Sequence, residues 1–178
     1  MKKTKLGVLI SGRGSNLQAI AAAVQSGTIP AEIALVLSNR PQAPGLAWAA
    51  GQGIAACALP SAGRERAEYD REVVEKLRAA GVELVCLAGY MRLLSGYFLQ
   101  AYPGRILNIH PSLLPAFPGL DATQQAVDPS RAGETAGMTL TGLISMAALA
   151  VAAVATAARS LQSNGTTQAS AVHDLLHL

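Results

Sequence analysis

Short apolar runs and helix-like stretches alternate through the first two thirds of this chain, and few folds accommodate that pattern. Residues 5–10, 32–37, 54–59, 83–88 and 105–109 read as strands. Residues 16–25, 45–51 and 64–80 read as helices between them. The last of these carries an apolar stripe of Val73, Val74, Leu77 and Ala80, and Gly81 follows as its stop signal. Strands that are apolar throughout, rather than on alternate residues, belong to a parallel sheet covered on both faces. Right-handed crossovers then give an α/β, doubly wound, Rossmann-like sheet, whose ligands bind beyond the carboxyl ends of the strands.

The 178 residues suggest one globular domain, and a hydrophobic share of 51% supplies a core and excludes general disorder. A net charge of +3 favours small anions, but without a concentrated basic face it argues against nucleic acid. Cys57 and Cys86 lie in apolar runs and read as core residues of a reduced, cytoplasmic protein. No cluster has zinc-ligand spacing, and no metal is expected; His173 and His177 read as solvated. The basic start precedes an apolar run, residues 6–10, too short for a signal peptide, which reads as a buried first strand.

Chemistry concentrates in three places. Ser11-Gly12-Arg13-Gly14-Ser15-Asn16 follows the first strand and opens the first helix. Glycines let the backbone approach an anion, and helix N-terminal N–H groups bind phosphate. Ser15 or Asn16 is also placed to cap the helix. The motif is neither a complete dinucleotide fingerprint nor a Walker loop, so a plain tight turn is the alternative. Tyr90-Met91-Arg92-Leu93-Leu94 leaves the fourth strand as an apolar loop with free backbone groups, suited to a flat heterocycle or to a strand end facing the core. Finally, residues 106–118 read ILNIHPSLLPAFP. Asn108 and His110, two apart on an extended backbone, point to one side. An amide donor beside a titratable imidazole suits a carbonyl oxygen that gains negative charge, or else the histidine caps a loop.

From residue 129 the texture changes. Residues 135–158 carry no charged side chain and are mostly Ala, Thr, Leu, Val and Met. The run is long enough to span a bilayer but lacks an aromatic belt, and an Ala-rich helix is the expectation. The division is accordingly 1–128 as an α/β domain and 129–178 as a divergent tail.

The strings SGRGSNLQAI, LAGYMRLLS and NIHPSLLPAFPGL, in that order and spacing, resemble the folate-dependent phosphoribosylglycinamide formyltransferases over residues 5–127. The resemblance implies transfer of a formyl group from 10-formyltetrahydrofolate, as co-substrate, to the amine of glycinamide ribonucleotide in purine synthesis. It places the nucleotide's phosphate and ribose on Gly14, Ser15 and Asn16. It places the folate on Arg66, Met91, Arg92, Leu93, Leu94 and Asn108, and the catalysis on Asn108 and His110. The family also uses an aspartate in a D-x-G-x-I pattern after a later strand, and this sequence has no match for it. Asp121, Asp128, Glu134 and Asp174 all lack the context. An impaired enzyme, an inactive product of a shifted reading frame, and a non-catalytic nucleotide-binding module all fit that departure.

Overall fold

The computed structural model describes residues 2–109 and 140–164, and within 140–164 the side chains of 151–163. Five strands, β1 (Thr4–Ile10), β2 (Ala31–Ser38), β3 (Ala56–Ala58), β4 (Leu84–Ala88) and β5 (Ile106–Ile109), form one sheet in the order β3-β2-β1-β4-β5. Every pairing is parallel. Helices α1 (Ser15–Gln25), α2 (Pro44–Gly51), α3 (Arg66–Ala79) and α4 (Gly96–Ala101) fill the crossovers, and α5 is Leu140–Asn164.

The pleat sorts side chains into two cores. Leu6, Val8 and Ile10 of β1, with Leu84, Cys86 and Ala88 of β4, face Leu17 and Ile20 of α1. Val154, Ala155, Ala157 and Ala158 of α5 join the same cluster. Leu9, Leu37, Val85 and Leu87 face the other way, onto Tyr69, Val73, Val74 and Leu77 of α3 and Phe98 of α4. The sheet is thus doubly wound, as its apolar runs predict.

Three details depart from the sequence reading. The third strand contracts to three residues, because β3 is an edge strand paired only with β2. Neither Ser15 nor Asn16 caps α1: Gly14 holds that position with φ 77°, and Ser15 is already helical. Helix α4 follows the Met91 loop where no helix was expected; the Ser95 side chain caps it by accepting from the Phe98 N–H at 3.3 Å. The Ala-rich tail does form a helix, and α5 is tied to the sheet's first strand and the turn before β2. Thr4 Oγ1 donates to the Ala158 carbonyl at 3.0 Å, and Gln162 Nε2 donates to the Pro30 carbonyl at 2.6 Å. Among the described residues no helix is long and apolar enough to cross a membrane.

Candidate active site

The sheet order reverses between β1 and β4, so the segments leaving their carboxyl ends diverge and open a crevice. A cavity of about 360 Å³ lies there. The segment from Ser11 to Asn16 forms one wall, and Ala88, Gly89 and Met91 form another. Arg13 and Arg40 bring two exposed guanidinium groups, and no carboxylate lines the cavity among the described residues. The first N–H groups of α1 have no intrahelical acceptor. Cation and amide donors together suit the binding of an anion.

The loop's shape rests on glycines. Gly14 lies in the left-handed region, which side chains strain to enter. Its missing Cβ would sit 3.2 Å from Gly45 Cα, and a Cβ on Gly45 would come within 2.6 Å of Ile10 Cδ1. The start of α2 therefore packs against the loop backbone, and the Gly45 N–H donates to the Gly12 carbonyl at 3.2 Å.

Gly89 to Ser95 runs along the second wall. Met91 and Leu93 are exposed, Leu93 to 73%, whereas Leu94 packs on the α3 core. The Arg92 guanidinium lies 4.5 Å from the centre of the Tyr69 ring. Its buried Nε has no hydrogen-bond partner among the described residues. Behind the loop, Asp70 is fully buried and accepts the Ser95 N–H at 2.6 Å. Tyr69 donates to the Leu59 carbonyl at 2.9 Å, and Tyr90 reaches the Tyr69 hydroxyl at 3.5 Å. Burial raises both tyrosines above the ordinary phenol value, outweighing the opposite pull of Arg92. Asn108 is exposed at the end of β5, in register with Leu87 of β4.

The sequence profile of the formyl transferase family matches residues 4–145. The chain belongs to that family. It is 44% identical over 138 residues to the phosphoribosylglycinamide formyltransferase of Bacillus subtilis, a match covering 76% of this chain and 69% of that one. The crystal structure of glycinamide ribonucleotide transformylase 1 from Symbiobacterium toebii superposes with a TM-score of 0.66 at 52% identity, over 70% of this chain and 59% of that one. The trifunctional purine biosynthetic protein adenosine-3 of Drosophila melanogaster is 44% identical over 130 residues, and this chain spans 10% of its length. The sheet is therefore the formyltransferase fold, and the resemblance read from three strings is to phosphoribosylglycinamide formyltransferases.

Within this chain, Gly14, Ser15, Asn16 and Met91 line one cavity. Arg66 is exposed at the first position of α3 and does not line it. Arg92 turns toward Tyr69, Leu93 toward solvent, and Leu94 toward the core. His110 lies outside the described residues. Among the described residues no group of three or more His, Cys, Asp or Glu could hold a metal ion. Sequence reasoning overlooked Arg40, whose only signal was its position after the carboxyl end of β2. It also overlooked Asp70, which reads as one more helix residue until its contact with Ser95 is seen.

Proposed function

We propose that this chain transfers a formyl group from 10-formyltetrahydrofolate to the amine of glycinamide ribonucleotide, at a rate limited by the absent relay aspartate. The observation that carries the proposal is the cavity between β1 and β4, lined by no carboxylate among the described residues, with Arg13 and Arg40 at its rim and Asn108 ending the adjoining strand. Gly14, Ser15 and Asn16 hold the nucleotide phosphate and ribose. Met91, Arg92, Leu93 and Leu94 receive the pterin through backbone groups and apolar contact, and Arg66 meets the folate from α3. Residues 1–128 carry the chemistry. The free thiols of Cys57 and Cys86 fit a reducing, cytoplasmic setting.

The amine attacks the formyl carbon, and the carbonyl oxygen becomes an oxyanion. Asn108 donates a hydrogen bond to it, and protonated His110 adds a second. As the tetrahedral centre collapses, the bond to the folate nitrogen breaks. The attacking amine loses a proton and the leaving nitrogen gains one, with His110 as the exchanging group. A carboxylate beside that imidazole would favour its charged form. The sequence offers no match for the aspartate that supplies such a carboxylate in the family.

The test is a turnover assay with glycinamide ribonucleotide and 10-formyltetrahydrofolate, following release of tetrahydrofolate. Slow turnover is expected, and His110→Ala should lower it by orders of magnitude while nucleotide binding stays nearly intact. Equal loss of both would make His110 structural. Nucleotide binding with no turnover and no hydrolysis of the folate would favour a non-catalytic binding module, which the missing aspartate also fits.

A further inference from the structure

Ser11 is the first residue after β1 and is 3% exposed, yet its hydrogen bonds reach two separate segments. Its backbone N–H donates to the Gly89 carbonyl at 3.2 Å. Its hydroxyl oxygen accepts the Met91 N–H at 2.8 Å. The hydroxyl proton therefore goes to the remaining partner, Asn39 Oδ1, at 2.5 Å. That fixes the Asn39 amide, whose nitrogen donates to Ser61 Oγ at 3.3 Å. Asn39 is itself 7% exposed, and its bond to Ser11 is buried.

Ser11 is thus a side chain through which the anion loop, the end of β2 and the opening of the Gly89–Ser95 loop meet. We propose that Ser11 is a positioning residue that couples the two substrate sites, so that occupation of the anion cavity orders the backbone of Met91 and tightens co-substrate binding. The inference rests on the assignment of those two sites under Proposed function. An anion held by Gly14, Ser15 and Asn16 restrains the segment Ser11 begins. The Ser11 hydroxyl passes that restraint to Met91 N–H, and a folate then meets a loop whose first turn is already fixed. Coupling of this kind is reciprocal: a folate bound first tightens the nucleotide by the same factor. The Ser11–Asn39 bond is buried, which holds the hydroxyl in one orientation and keeps its oxygen turned to the Met91 N–H.

Calorimetric titration of the full chain measures it, with glycinamide ribonucleotide as one probe and tetrahydrofolate, which has no formyl group to transfer, as the other. Each Kd is measured with and without saturating amounts of the second ligand. In the unaltered protein each ligand should tighten the other by about fivefold or more. In Ser11→Ala the factor should fall to about one while both ligands still bind alone. Ser11→Thr, which keeps a hydroxyl, should restore it. Asn39→Ala gives an independent reading should Ser11→Ala fail to fold, because it removes the acceptor that orients the hydroxyl; its factor should fall as well. Hydrogen exchange at Met91 N–H supplies the signature that a merely structural serine would not give: nucleotide should slow it in the unaltered protein and not in Ser11→Ala. Two ligands that bind the unaltered protein without affecting each other would overturn the coupling and leave the function standing. So would a folded Ser11→Ala or Asn39→Ala with the factor unchanged. An unaltered protein that binds neither ligand would overturn the function, and the coupling with it.

Discussion

The two faces of the sheet are built from different materials. On one face, α1, α2 and α5 meet β1 and β4 mainly through aliphatic and small side chains, with Trp48 partly buried at the margin, and among the described residues the fully buried set there contains no aromatic. On the other, α3 and α4 present Tyr69, Phe98 and Tyr102, and Tyr90 joins them from the loop after β4. The second face also carries Asp70, fully buried and bonded to the backbone of Ser95. Apolar packing alone fixes a helix to a sheet without specifying a loop. Directional polar contacts specify a loop, at the cost of desolvating them. The aliphatic face therefore serves stability, and the aromatic face serves stability and the shape of the Gly89–Ser95 loop together.

The largest effect should come from Leu77→Ala. Leu77 is fully buried and, with Val82, fills the space that Gly7 leaves; a Cβ on Gly7 would lie 2.6 Å from Leu77 Cδ2. Truncation should cost about 3 kcal/mol in urea unfolding. A loss below about 1 kcal/mol would mean that α3 collapses freely onto the sheet. Asp70→Ala comes next, at about 2 kcal/mol, since it strands the Ser95 N–H in a buried setting. Unlike Leu77→Ala, it should also raise the KM for 10-formyltetrahydrofolate several-fold with little change in the KM for nucleotide. Its counterpart on the aliphatic face is Val154→Ala, expected at about 1.5 kcal/mol with neither KM altered. A Val154→Ala protein whose folate KM rises as much as that of Asp70→Ala would erase the distinction between the faces.

What the sequence made legible follows the same division. β1 and β4 were readable because burial on both faces makes them apolar without interruption. The stripe of α3 was readable because Val73, Val74 and Leu77 recur at helical spacing against a charged remainder. Asn108 could be placed at a strand end from its neighbours alone. The polar clamps could not: Ser11 meets Asn39 and Met91 across 28 and 80 positions, and Asp70 meets Ser95 across 25. No local pattern encodes such pairs; only the strand order brings them together. Helix α4 escaped notice because six residues are too few to show a period. The helical character of the Ala-rich tail was visible in its propensity. Its seat on the sheet was not, because alanine side chains carry little directional signal.

The smallest effect is also the one that reads the two faces against each other by pH. Burial on the aliphatic face pushes the Cys86 thiol up from 9.0 to about 12. On the aromatic face, burial raises Tyr69 and Tyr90 from a starting value of 10.0. All three groups stay neutral in the folded protein at a pH where the unfolded chain has begun to ionise. Their contribution is therefore complete below the unfolded values and declines as pH rises through them. Cys86 begins to act near pH 9 and should remove up to about 1.4 kcal/mol per pH unit beyond it, with the tyrosines following about one unit later. Cys86→Ala should therefore delay the alkaline fall in unfolding free energy without abolishing it, and the remaining fall should belong to the aromatic face. The thiol should resist alkylation until the protein unfolds. A native Cys57→Ala protein, whose half-buried second thiol is removed, that still alkylates at the rate of a free thiol at pH 8 would mean that the aliphatic face opens locally, and that its packing is looser than its burial indicates.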